Sequence, residues 1–227
     1  MKKIYNDIPF TLTDTQVLAH LKLSEDFLED IRDMIDNTKK TAKPKGVIVE
    51  VEIERVDEKT TIVGGKKIVS KVVAANLEGR EKAYAYVATC GREADKLMQE
   101  TVDPVEKLWQ AEINQYLLMQ ARLYMMRKLQ EEENLSVLSS LNPGSNPDWP
   151  ITEQVNLFSM IGDVKEDIGV TLTESFLMMP IKSSSGIWFE AKDDHYTNCS
   201  ICLRKNCQGR RAPFDQQRYD KIFGAGM

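Results

Sequence analysis

The chain has 227 residues, is 42% hydrophobic and carries a net charge of −5. This length and apolar content suffice for one core, so we predict a single domain over residues 1–227. The interspersed charges form no basic face of the kind that binds nucleic acids or membrane surfaces. No secretory leader pattern is present, and no apolar run reaches the roughly 18 residues of a membrane span, so we expect a cytoplasmic protein.

The first part of the chain carries both helix and strand signals. Thr13 and Gln16 have the spacing of a capping box at a helix start. Apolar β-branched residues alternate with glutamates over 47–54, the period of a strand with one buried face. Gly64–Gly65 lies between two short β-branched runs, which predicts a tight turn joining antiparallel strands.

The middle of the chain predicts a strand, a long helix and an irregular segment. Lys82–Thr89 reads as a strand that ends at Cys90. Asp103 followed by a proline is typical of a helix start, and an apolar stripe continues this helix to Glu133. Ser139–Pro150 is rich in proline and reads as irregular. Helices and antiparallel strands without regular alternation predict an α+β fold, with mixed helices and an antiparallel sheet.

The stretch from Leu172 to Phe189 has an unusual order of residue types. An apolar run over Phe176–Met179 is followed by Pro180, which a helix cannot continue through, and then by Ser183–Gly186. We expect the apolar run to enter the interior and the serine-glycine turn to present N–H and hydroxyl groups to a polar ligand. A helix end, a tight turn and a strand without a ligand is the simpler interpretation.

These residues, with two stretches before them, resemble a known protein family. The text LTESFLMMPIKSSSGIWF, together with Asn142-Pro143-Gly144 and Trp149–Gln154, resembles the activation domain of cobalamin-dependent methionine synthase and, more closely, its short free-standing relatives. The resemblance is strong over 142–189 and weaker, but in register, before that. It implies the fold of that domain, binding of S-adenosylmethionine, and docking on a corrinoid so that cob(II)alamin is reduced and remethylated.

The resemblance also implies a ligand site. Its candidate residues are Asn142, Pro143, Gly144, Lys182, Ser183, Ser184, Ser185 and Gly186. The family has an Arg-x-x-Pro-Gly-Tyr motif whose arginine binds the methionine carboxylate, whereas this chain reads Ser-Leu-Asn-Pro-Gly-Ser over 140–145. The loss of that contact predicts about ten- to a hundredfold weaker binding, unless Lys182 or an arginine from elsewhere replaces it.

A second candidate site is a cysteine-rich segment at 195–211. Cys199, Cys202 and Cys207 have spacings that let a turn direct three thiolates at one cation. His195 would complete a zinc site, whereas Cys90 would complete an iron-sulfur cluster. Flanking arginines would offset the negative charge of a cluster, and reduced thiols without a metal are the alternative. The methionine synthase domain itself lacks this group of cysteines.

The two candidate sites together suggest the reactivation of a corrinoid methyltransferase or carrier protein. The sequence contains no Asp-x-His-x-x-Gly motif for a cobalt-ligating histidine, so we expect a corrinoid-binding partner and an electron donor protein. Trp188, Phe189 and Ser183–Ser185 are expected at the contact with the corrinoid protein. A non-catalytic, zinc-stapled binding module and a ligand sensor remain alternatives, and whether the chain itself catalyses a reaction stays open.

Overall fold

The computed structural model describes residues 1–191, 196–207, 210 and 212–224. The strands within these ranges, in chain order, are β1 Lys2–Tyr5, β2 Lys45–Arg55, β3 Thr60–Val63, β4 Lys66–Val69, β5 Lys82–Thr89, β6 Leu138–Leu141, β7 Thr171–Leu172, β8 Met178–Met179 and β9 Ser183–Glu190. In this part of the chain, seven strands form one sheet in the order β4-β3-β2-β5-β9-β6, with β1 pairing against β2. β7 and β8 form a separate hairpin. All of these pairings are antiparallel.

The helices of the described ranges are α1 Asp14–Leu21, α2 Leu28–Thr41, α3 Lys71–Leu77, α4 Arg92–Glu100, α5 Pro104–Glu133, α6 Gln154–Ile161, α7 Val164–Ile168 and α8 Gln216–Phe223. Short 3₁₀ helices occupy Glu25–Phe27, Ile151–Glu153 and Asn198–Ile201. The predicted α+β fold with an antiparallel sheet is therefore confirmed. No helix in the described ranges is long and apolar enough to cross a membrane.

Local sequence signals account for several element boundaries. Thr13 forms the predicted capping box with Gln16 at the start of α1. The Asp103 carboxylate accepts hydrogen bonds from the first N–H groups of α5, where a proline follows as the first helical residue. Gly64–Gly65 has positive φ at both residues and joins β3 to β4 in the predicted tight turn.

The sheet separates two apolar layers. On one face, Val87 and Ile187 pack with α3, α6, α7 and the aromatic residues of α8. On the other face, Tyr86 and Trp188 pack against the stripe of α5 that includes Met125. A third cluster joins α1, α2, α4 and the first half of α5. The long helix is therefore the spine of the core on one side of the sheet, as its apolar stripe predicts.

The stretch from Leu172 to Phe189 departs from its predicted course. Phe176–Met179 does not enter the interior, because it forms the tip and second strand of the β7-β8 hairpin and leaves Leu177 61% exposed. Ser183–Gly186 is not a turn, because it begins β9 and pairs with β5 along its length. Strand pairing outweighs the weak preference of serine and glycine for turns.

Candidate functional site

The side chain of Asn142 is the hub of a polar cluster at the end of β6. Its Nδ2 donates to Tyr86 Oη at 2.8 Å and to the Ser185 carbonyl oxygen at 2.7 Å. Its Oδ1 accepts from Ser140 Oγ at 3.1 Å and from Asn198 Nδ2 at 3.1 Å. An amide side chain has two donor hydrogens and two acceptor lone pairs, so all four are used here. The position of the Asn142 side chain is therefore fixed by residues of β5, β6 and β9 and by Asn198.

Tyr86 crosses the floor of this Asn142 cluster. Its hydroxyl lies 3.5 Å from both Ser140 Oγ and Ser184 Oγ, and its ring stacks on Trp188 with centroids 3.8 Å apart. The guanidinium carbon of Arg122 lies 5.6 Å from the centre of the Tyr86 ring. Burial acts to raise the pKa of Tyr86, but the Arg122 charge and the hydrogen bonds to the phenol oxygen outweigh it, so the net direction is downward.

Gly186 is where β9 passes beneath the Asn142 cluster. A methyl group at this position would overlap the carbonyl oxygen of Leu141 and the Asn142 side chain, and would press on the edge of the Tyr86 ring. The close approach of β6 to β9 therefore requires a residue without Cβ.

The serines of β9 connect the Asn142 cluster to its surroundings. Ser185 Oγ donates to Gln154 Oε1 of α6 at 2.7 Å, and Gln154 Nε2 reaches the Phe176 carbonyl oxygen at 3.5 Å. Ser183 Oγ donates to the Pro180 carbonyl oxygen at 2.7 Å. The cluster is thus linked to the β7-β8 hairpin through side chains of β9 and α6.

The loop after Asn142 is folded back on itself. The Gly144 N–H donates to the Trp149 carbonyl oxygen at 2.8 Å, and Pro143 is buried. Asp148 accepts from the Val72 N–H at 2.9 Å, which ties the loop to the start of α3. The structure therefore brings Asn142 together with Ser184–Gly186, while Pro143 and Gly144 shape the adjoining loop.

Lys182 is engaged elsewhere. Its ammonium lies 3.8 Å from the Glu112 carboxylate of α5, and its carbonyl oxygen accepts from the Cys90 N–H at 3.0 Å. Since Lys182 already has an anionic partner, it is a weak replacement for the arginine that the family motif supplies.

The cysteine segment begins beside the Asn142 cluster. Tyr196 is buried, and its hydroxyl donates to Asn198 Oδ1 at 2.9 Å, which continues the chain of bonds to Asn142. The Arg210 guanidinium donates to the Cys199 and Cys202 carbonyl oxygens, at 3.0 Å in each case. The backbone N–H of Arg210 donates to the Cys207 carbonyl oxygen at 3.2 Å. The backbones of all three cysteines are thus held by one arginine.

The predicted metal ligands are placed differently from one another. Among the described residues, no three His, Cys, Asp or Glu side chains are grouped so that they could hold a metal ion. His195 lies outside the described residues. Cys90 is fully buried in the core beside α2 and α5, and burial raises the pKa of its thiol to about 12. A thiol this far from ionisation is a poor fourth ligand for a cluster. The metal centre stays a prediction.

One structural expectation about the site needs correction. Trp188 and Phe189 are 0% and 2% exposed, so they belong to the core and are not available at a protein surface. Tyr86, Arg122 and Gln154 join the site although their positions in the sequence do not mark them. One signal was present for Arg122, since it lies on the core-facing side of α5, four residues after buried Leu118 and three before buried Met125.

The comparisons with known proteins concern the fold and the family resemblance. Residues 141–211 match the family model of the vitamin B12 dependent methionine synthase activation domain, a span that includes Asn142, the serines of β9 and the three clustered cysteines. The fold matches a crystal structure of the MetH reactivation domain bound to AdoHcy, with a TM-score of 0.63 and 19% sequence identity over 87% of this chain and 80% of that chain. No curated protein sequence matches the chain. The resemblance predicted from the sequence is confirmed, and the structural match shows the fold.

Proposed function

We propose that this protein reactivates a corrinoid-dependent methyltransferase by presenting an S-adenosylmethionine-type ligand to a corrinoid held by another protein. The observation that supports this most directly is the coincidence of the family match over 141–211 with the convergence of Asn142, Ser184 and Ser185 in the matching fold. In the proposed role, S-adenosylmethionine supplies the methyl group.

The residues of the Asn142 cluster fit such a ligand. The hydroxyl groups of Ser140 and Ser184 each lie 3.5 Å from Tyr86 Oη, and each hydroxyl can both donate and accept. The buried indole N–H of Trp188, whose ring stacks on Tyr86, has no hydrogen-bond partner. A buried donor without an acceptor costs about 1–3 kcal/mol, and a polar ligand group is one way to satisfy it.

The partner surface lies next to this cluster in our proposal. Leu177 and Ile181, on either side of the second hairpin strand, are 61% and 56% exposed. A path of hydrogen bonds from Ser185 through Gln154 reaches the hairpin at the Phe176 carbonyl oxygen, next to Leu177. We therefore assign the corrinoid-protein contact to this hairpin in place of the buried Trp188 and Phe189.

The function is tested by mixing the protein with a cobalamin-binding methyltransferase from the same source in the cob(II)alamin state. We expect complex formation and a change in the cob(II)alamin absorption spectrum, because a reactivator must favour one oxidation state over the others. The absence of both at micromolar concentrations would contradict the proposal.

A matched pair of surface variants tests the contact. The double variant Leu177→Ser and Ile181→Ser should weaken the complex about tenfold or more, because apolar anchors dominate interfaces. Val102→Ser is the control, since Val102 is 93% exposed and precedes α5. Equal affinities for the two proteins would show that the hairpin is not the contact.

A further inference from the structure

Arg122 is a cation on the side of α5 that faces the sheet. Leu118 and Met125, one helical turn before and after it, are both buried against the sheet. Arg122 is half-buried, and its guanidinium lies beside the Tyr86 ring, 5.6 Å from guanidinium carbon to ring centre. It is therefore held at the Asn142 cluster by an aromatic contact.

The guanidinium of Arg122 has unused hydrogen-bonding capacity. Its Nε is buried and has no partner. Throughout the described ranges, no carboxylate lies within 4 Å of its nitrogens, whereas Arg55 and Lys82, for example, have such partners. A guanidinium offers five donors, and burying one of them without an acceptor is unfavourable. Arg122 is therefore placed to bind an anion other than the carboxylates of the described chain.

Arg122 and the residue at the arginine position of the family motif both lie beside Tyr86. Ser140 stands at the arginine position of that motif, and its hydroxyl lies 3.5 Å from Tyr86 Oη. An arginine at 140 would therefore leave β6 on the side of the sheet that Tyr86 and Arg122 occupy. Lys182, the other candidate replacement, is paired with Glu112.

We infer that Arg122 binds the α-carboxylate of an S-adenosyl amino acid, and so replaces from helix α5 the arginine that is missing from strand β6. This inference rests on the proposed function, since it assigns one residue of that ligand site. A guanidinium matches a carboxylate with two parallel hydrogen bonds.

The test compares two ligands by calorimetry. S-adenosylhomocysteine carries the carboxylate, and 5′-methylthioadenosine has the same adenosyl thioether without it. Arg122→Gln should weaken binding of S-adenosylhomocysteine about ten- to a hundredfold and leave binding of 5′-methylthioadenosine unchanged. Arg127→Gln is the matched control, because Arg127 is on the same helix, is exposed and gives the same change in net charge.

Two further variants guard against a merely structural effect. Arg122→Lys keeps the charge but not the paired hydrogen bonds, so an intermediate loss is expected. Ser140→Arg added to Arg122→Gln should recover most of the lost affinity, and should help less in the presence of Arg122, because two neighbouring cations repel. Thermal unfolding of each variant checks that the fold is retained.

The outcomes separate the inference from the proposed function. If Arg122→Gln and Arg127→Gln bind S-adenosylhomocysteine equally well, or if Arg122→Gln weakens both ligands to the same degree, the inference is overturned while ligand binding stands. If the wild-type protein binds neither ligand, the proposed ligand site is wrong and the assignment of Arg122 is overturned with it.

Discussion

The Asn142 cluster and the cysteine segment adjoin one another but are held together differently. In the cluster, residues from β5, β6, β9 and the chain near Asn198 meet because the register of the sheet places them opposite one another. In the cysteine segment, the three cysteines are close in sequence, and their backbones are tied to Arg210. Side-chain hydrogen bonds fix the first region, whereas the contacts described above for the second are made by the backbone carbonyl oxygens of the cysteines.

The prediction with the largest expected effect concerns the metal content of the cysteine segment. We predict that protein purified without oxygen contains zinc or iron bound by Cys199, Cys202 and Cys207, and that Cys202→Ser reduces the metal to background. Three clustered thiolates repel one another unless a cation neutralises them. Metal analysis with an ultraviolet-visible spectrum also separates zinc from an iron-sulfur cluster. Wild-type protein without either metal would sink the prediction.

The second prediction distinguishes the alkylation rate of Cys90 from that of the other cysteines. Because burial raises its pKa to about 12 from 9.0, less Cys90 is ionised at any pH below 12. At pH 8 the thiolate fraction falls about a thousandfold relative to a thiol of ordinary pKa, and alkylation should slow accordingly. Mass spectrometry of iodoacetamide-treated, metal-free native protein measures this, and fast labelling of Cys90 would contradict it.

Sequence patterns predicted the local elements well and the meeting of distant residues poorly. The strand Lys82–Thr89 and the start of α5 after Asp103 carry their own signals, namely alternation and an N-cap followed by proline. Ser183–Gly186 was expected to turn because its composition favours turns, but pairing with β5 makes it a strand. No single-chain pattern specifies that β9 lies between β5 and β6, and that neighbourhood is what brings Tyr86 to Asn142.

The third prediction concerns how much the hydrogen bonds of the Asn142 cluster contribute to the stability of the fold. Asn142→Ala should lower the free energy of unfolding by about 2–4 kcal/mol, because it removes four hydrogen bonds and leaves the Ser185 carbonyl without its side-chain donor. Asn37→Ala, at an exposed position of α2, is the control and should change stability by less than about 0.5 kcal/mol. Urea unfolding measures both, and equal stabilities would show that the cluster contributes little.

The smallest effect examines the close approach of strands beneath the cluster. Gly186→Ala adds one methyl group that would overlap the Leu141 carbonyl oxygen and the Asn142 side chain. The backbone of β6 cannot move away without disturbing its pairing with β9, so we expect a loss of about 1–3 kcal/mol in urea unfolding, the usual cost of overpacking. Ser184→Ala, two residues earlier in β9, removes a long hydroxyl contact to Tyr86 and should cost less than about 1 kcal/mol. If Gly186→Ala is as stable as Ser184→Ala, the strands can separate at this point, and the cluster is held by its hydrogen bonds alone.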